Sequence, residues 1–237
     1  MPQTGRRLSM SSYLNELKSV YVTVVNPSFH DYMRSMPDCV FLGSSIFALI
    51  TQSYPLGIFV FAMLEFGLVH RLLASLVNIV EQPSGNPPSD TCTPGIPSPY
   101  QISVIGKLLT QTPFPSGPVF FMSAIVSYTL AAVMNFQEEL NELSKKEPEW
   151  GMRTPFSFVF SLLLLLAFII WRYTNSCDGI FPILGSVLLG AALGGLVHLV
   201  HVYLFGRDSI NFLGIPLLAD RAANGRPLYV CAKQSAQ

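Results

Sequence analysis

The sequence predicts an all-α integral membrane protein: a bundle of four to five transmembrane helices with a Pro-rich extramembrane loop and a small C-terminal β-hairpin. Three observations predict it. Half of the 237 residues are hydrophobic and only 12% are charged. A soluble domain carries about 25% charge, and a chain this poor in it cannot clothe a water-facing surface. Long apolar stretches recur along the chain, separated by segments rich in proline or charge. The longest of them, IFPILGSVLLGAALGGLVHLVHVYLFGRD at 180–208, carries small residues at every fourth position. Net charge is zero, which removes the electrostatic case for a nucleic-acid partner.

Residues 1–38 form an N-terminal tail with an interfacial helix. From Ser12 the pattern is helical: Ser12 suits a cap, Glu16 the first turn, and Leu14, Leu17, Tyr21 and Val24 share a face. This helix is too short and polar to span, and is expected to lie in the membrane interface or on the protein itself and to stop at Asn26-Pro27. No cleavable signal peptide is visible, so an internal helix is expected to direct insertion.

Residues 39–80 make the first transmembrane pair, divided at Tyr54-Pro55 because the residue before proline leaves helical geometry. The first half, 40–52, is short, and either crosses a thin region or is half of a re-entrant hairpin. The second half carries Glu65, His70 and Arg71, residues that turn inward, pair or snorkel rather than face lipid. Residues 81–117 are the Pro-rich extramembrane loop, with at most a turn or two of helix in 102–110. A loop this long is uncommon unless functional or disordered.

Residues 118–205 hold helices three to five. Pro118 opens the third, with Ser116 as its cap. The acidic segment Glu138–Glu149 reads as a charged loop in preference to a helical extension. Thr154-Pro155 starts the fourth, whose Leu162–Leu166 run suits lipid and whose Trp171, Arg172 and Tyr173 suit an interface anchor. The fifth is the 180–208 stretch, read as the packing centre. Ser186, Gly190 and Gly194 lie on one ridge with Gly195 beside it, where another helix can approach closely. The ridge serves packing within the chain or a homo-oligomer contact.

In residues 206–237, strand-forming residues flank Asn224-Gly225, a hairpin-turn signal. Such a hairpin is marginal alone. It is expected to dock on the loop or on another protein through Ile215, Leu217, Leu228 and Tyr229.

Orientation does not resolve. With five crossings, Arg6, Arg7, Lys18, Arg34, Lys107 and Arg172 fall on one side and Lys145, Lys146, Arg153, Arg207, Arg221, Arg226 and Lys233 on the other. That is no positive-inside bias. Cys39, Cys92, Cys177 and Cys231 show no metal-ligand spacing, and whether any pair forms a disulfide stays open. No metal and no cofactor is expected.

The intramembrane polar set is Glu65, His70, Arg71, His198 and His201. Its functional reading is a proton or cation site built on Glu65 with His198 or His201. Its structural reading is a buried staple from Glu65 to His198. Pro115-Ser116-Gly117 match part of a Pro-Ser-Gly-His motif and so resemble membrane phosphatases of the phosphatidic-acid type. Here Pro118 replaces the histidine, while Lys107 and Asp208 lack the flanking motif residues. The nucleophilic and phosphate-binding groups of that chemistry are therefore missing, and no enzyme activity is expected.

FPSGPVFF at 114–121 and GIPLLADRAANGRPLYVCA at 214–232 resemble segments of multi-pass membrane proteins of large double-stranded DNA viruses. Those are minor capsid components of the virion's internal membrane. The likeness covers about the last half of the chain. It implies a structural protein without catalytic residues, located in an internal virion membrane and linking it to the capsid shell. Its partners would be the lipid bilayer and other capsid or membrane proteins. The alternative expectations are a small transporter or proton-conducting protein using Glu65 and His198, and, behind it, a lipid phosphatase-like enzyme.

Overall fold

The computed structural model describes residues 16, 18–80, 92–96, 103–109, 114–146, 148–212, 214, 218–219 and 228–229. Among them five helices are long and apolar enough to cross a membrane, an arrangement compatible with an integral membrane protein. In chain order the elements are α1 (Asn26–Thr51), α2 (Tyr54–Val80), the short α3 (Ile105–Leu108), α4 (Gly117–Asn135), α5 (Gln137–Lys146), α6 (Pro148–Thr174) and α7 (Ile180–Phe205). A 3-10 turn, Asp208–Ile210, follows. Two short strands, β1 (Leu218–Ala219) and β2 (Leu228–Tyr229), pair antiparallel with Leu218 opposite Tyr229. The turn of the expected hairpin, Asn224-Gly225, lies outside the described residues, as do Ile215 and Leu217.

Proline misleads at two places, Pro27 and Pro155. The sequence predicts a stop at Asn26-Pro27, but the helix runs on. A π-turn, Tyr21–Val25, precedes α1, and the Asn26 N–H reaches back to the Tyr21 carbonyl. That widened turn makes room for a ring that would collide with a regular α-turn. Pro37 sits inside α1 and Pro155 inside α6. In both cases one backbone bond is lost within a helix that packing holds in place. The expected division at residue 38 therefore falls within α1. The helix is about 39 Å long at ~1.5 Å per residue, so a short re-entrant half does not describe it. Its apolar half, from Cys39, continues a more polar half that begins at Asn26. Gln52, with φ 50°, turns the chain into α2.

The acidic segment is helical rather than a loop. It forms α5, and the fourth long helix begins at Pro148, ahead of Thr154-Pro155. The expected interface anchor is also mostly interior. Trp171 and Arg172 are buried and only Tyr173 is exposed. Trp171 Nε1 donates to His30 Nδ1 at 3.0 Å.

The centre of the bundle is α4, not α7. In its apolar window 72% of the residues are buried, against 22% for α7. Small residues on α7 mark one packed face, and its remaining faces are exposed: Leu188, Leu196, Leu199 and Tyr203 point outward. α4 is enclosed by contacts with α7, α6 and α2. Val119, Phe121, Met122 and Tyr128 on α4 join Met63 and Phe66 of α2 and Phe168 of α6 in one apolar core. A second, smaller core of Val133, Phe136, Leu140 and Ile210 fixes the α4–α5 corner to the 3-10 turn.

α4 and α7 run parallel and form the most extensive helix pair. At Gly190 an added Cβ would fall on the Phe120 carbonyl, and at Gly194 on the Ala124 carbonyl. Only glycine lets the two backbones meet this closely. Serines fasten the same seam: Ser123 Oγ donates to the Val187 carbonyl at 2.8 Å and Ser127 Oγ to the Ala191 carbonyl at 2.7 Å. Gly195 stands aside, where a Cβ would meet nothing nearer than Ser127 Oγ at 3.8 Å.

Candidate functional site

The polar residues gather in three groups around α4. The first lies between α2, α4 and α7. His201 is fully buried, and its Nε2 lies 3.0 Å from Glu65 Oε2. Its Nδ1 lies 3.1 Å from the Tyr128 hydroxyl. The expected staple ran from Glu65 to His198, one turn earlier on α7, while the functional reading allowed either histidine; the structure pairs Glu65 with His201 and corrects the staple. The two histidines share a face, but α2 crosses α7 at the level of His201. His198 is instead next to α4, where Asn135 Nδ2 lies 3.5 Å from its Nε2.

Hydrogen-bond chemistry then fixes the second group. Arg207 carries only donors. Its Nε donates to Asn135 Oδ1 at 3.1 Å, and its terminal nitrogens fork onto Glu139 at 2.8 Å and 2.6 Å. It also donates to the Asn135 backbone carbonyl. With Oδ1 facing arginine, the amide of Asn135 presents N–H to His198. His198 must accept on Nε2 and so carries its proton on Nδ1. A second proton on Nε2 would set donor against donor. Beyond this, His198 meets Tyr128 only ring edge to face, centroids 5.3 Å apart. The hydrogen-bonded series Glu65–His201–Tyr128 thus ends at Tyr128, and Glu139–Arg207–Asn135–His198 ends at His198.

The third group lies at the start of α4. His70 is fully buried and bonds the Pro115 carbonyl at 3.0 Å through Nε2, which makes Nε2 the protonated nitrogen. Ser116 takes the N-cap position, but its side chain makes no capping bond. Its N–H donates to Ser186 Oγ at 2.7 Å, so Ser186 on the α7 ridge steadies the start of α4. Arg71, the remaining member of the expected polar set, is exposed on α2. Lys107 lies on α3, toward this end of the bundle, while Asp208 follows the far end of α7. The parts of the phosphatase-like pattern are therefore not brought together around Ser116.

Several organising residues carry no motif. Asp38, fully buried on α1, accepts from the backbone N–H groups of Val104 and Ile105 at 2.8 and 2.7 Å and from Ser103 Oγ at 3.2 Å. It thereby caps α3 from 65 residues away. Arg34 Nε donates to the Thr93 carbonyl at 2.7 Å. Arg172 is salt-bridged to Asp178 and donates to the Cys92 carbonyl at 3.2 Å. Cys92 and Cys177 are disulfide-bonded. The one sequence signal for this group is that Arg172 and Asp178 bracket Cys177.

No protein-family model, no curated protein and no solved structure matches this chain. Among the described residues, no three His, Cys, Asp or Glu side chains converge as a metal site would require. Leu228 and Tyr229 of the expected docking set lie in β2.

Proposed function

We propose that this chain is a structural multi-pass membrane protein that attaches a membrane to a protein layer. In its specific form it is a minor capsid component linking an internal virion membrane to the capsid shell. The observation that carries this reading is how the intramembrane polar residues are used. Glu65, His201 and His198 are each engaged by groups of this chain, and the two hydrogen-bonded series stop short of each other. Groups arranged in this way act as staples between helices. The extramembrane segments then remain as the working surfaces: the loop, and the tail with its two short strands, whose edges can accept a further strand.

One observation favours a second reading, proton binding at the Glu65–His201 pair. The Glu65 side chain is 31% exposed while His201 is buried, so the carboxylate reaches the surface of the bundle within an apolar helix. Co-purification separates the two readings. The full chain, extracted gently from its native assembly, should bring down coat proteins in fixed stoichiometry, and deletion of residues 213–237 should abolish this without blocking membrane insertion. A chain that purifies alone and, in liposomes, gives a proton flux lost in Glu65→Gln would replace attachment with conduction.

A further inference from the structure

The count of Lys and Arg leaves the orientation in the membrane open, but the folded chain carries a second marker. Passing the five long helices through a bilayer in turn places three segments on one face. These are the start of α1, the loop that carries Cys92, and the α6–α7 turn that carries Cys177. The other face receives the α1–α2 turn, α5, the 3-10 turn and both strands. The disulfide belongs wholly to the first face. Its Cα atoms are 5.3 Å apart and 85 residues separate them in sequence.

Independent contacts bring these two cysteines together. The Arg172 guanidinium, itself buried, bonds Asp178, one residue beyond Cys177, and also the carbonyl of Cys92. Arg34 holds the next residue, Thr93, by its carbonyl. Asp38 anchors the same loop further on, at Ser103, Val104 and Ile105. The loop is thus seated on α1 and on the end of α6 by polar contacts that do not require the bond. Cys92 is 3% exposed. Disulfides form and persist in the lumen of the secretory pathway, the periplasm or the extracellular space, and are rare where glutathione keeps thiols reduced.

We propose that the face bearing Cys92–Cys177 is the non-cytosolic face. α5, Arg207 and the C-terminal strands are then cytosolic, and any partner of the tail is a cytosolic-side protein. The assignment rests on the disulfide and the helix order alone, so it stands or falls separately from the structural reading of function.

The test uses the full chain with Cys39→Ser and Cys231→Ser, retaining Cys92 and Cys177, in sealed microsomes whose cytosolic face is outward. Asp31→Cys on α1 and Glu138→Cys on α5, both exposed positions, each report one face. A membrane-impermeant maleimide should label Glu138→Cys in sealed vesicles and Asp31→Cys only after detergent. The parent chain, alkylated without reductant, should give no adduct at Cys92 or Cys177 and two after reduction. Reversed labelling, labelling of both positions in sealed vesicles, or free thiols at Cys92 and Cys177 would each overturn the assignment.

Discussion

Asn135 shows how one side chain sets the state of its neighbours. Its orientation is dictated by Arg207, and it in turn dictates the tautomer of His198. Arg207→Ala removes both the donor to Asn135 and the countercharge of Glu139, whose side chain is only 3% exposed. The expected loss is about 1–3 kcal/mol, the cost of leaving a buried polar group without its partner, read as a lower Tm in detergent. Arg207→Lys should recover only part of it, because an ammonium cannot reproduce the planar fork that holds Glu139 and Asn135 together. Glu65 gives a companion case. Glu65→Ala leaves the His201 Nε2–H without an acceptor and should cost about 1–3 kcal/mol, whereas Glu65→Gln keeps an acceptor and should be milder. Equal losses in the two variants would mean that charge, and not the hydrogen bond, holds the contact. Glu65 was legible in the sequence because a carboxylate within an apolar run needs a partner. Which histidine it meets was not, because residues 198 and 201 are one turn apart and the crossing of α2 over α7 decides between them. Tyr128 and Asn135 gave no sign, being ordinary residues in a helix of mixed composition.

For whole elements, the α4–α7 seam makes the sharpest claim. Gly190→Leu and Gly194→Leu should each prevent the close approach, since even a Cβ meets a carbonyl of α4. Gly195→Ala and Leu188→Phe should leave Tm nearly unchanged, because the first position has room and the second side chain is 72% exposed. Comparable tolerance at all four positions, measured by thermal unfolding in detergent, would contradict the seam. The limits of α7 could be read from sequence because nothing interrupts its apolar run. The limits of α1 and α6 could not, since Pro27 and Pro155 read as a stop and a start and are absorbed by a π-turn or by neighbouring helices. The ridge of small residues identified one contact face of α7. It did not reveal that the partner, α4, is the more enclosed helix, because enclosure is a property of neighbours and not of a helix's own hydropathy.

Across the whole molecule, the loop seated on α1 and α6 is the feature that sequence reading could least supply. Its anchors, Asp38 to residues 103–105 and Arg34 to Thr93, join positions about sixty residues apart. No local pattern encodes such a pairing. Proline content indicated irregular structure, and the described parts of the loop are nonetheless held by buried polar contacts. Replacing both Cys92 and Cys177 by serine should lower the Tm. The chain-entropy ceiling for a closed loop of this length is about 4–5 kcal/mol. The observed loss should fall well below it, because inserted helices already restrict the unfolded reference state. A loss at the full ceiling would mean that the helices do not stay inserted when the fold is lost. Hydrogen exchange should remain slow at Val104 and Ile105 in this double variant, since Asp38 and not the disulfide holds those N–H groups.

The separation of the two cysteines also imposes an order in time. At roughly 5–20 residues per second of synthesis, Cys92 exists for about 4–17 seconds before Cys177 has been made. During that interval α3, α4, α5 and α6 must be produced, and α4 and α6 threaded, before the correct partner arrives. Cys39, already synthesised and free in the finished protein, is the competitor within the same chain. A closed Cys92–Cys177 bond is therefore a record of insertion as far as α6: a nascent chain acquires it only after α4 and α6 have gone in with the right count and direction, so that both cysteines reach the same face.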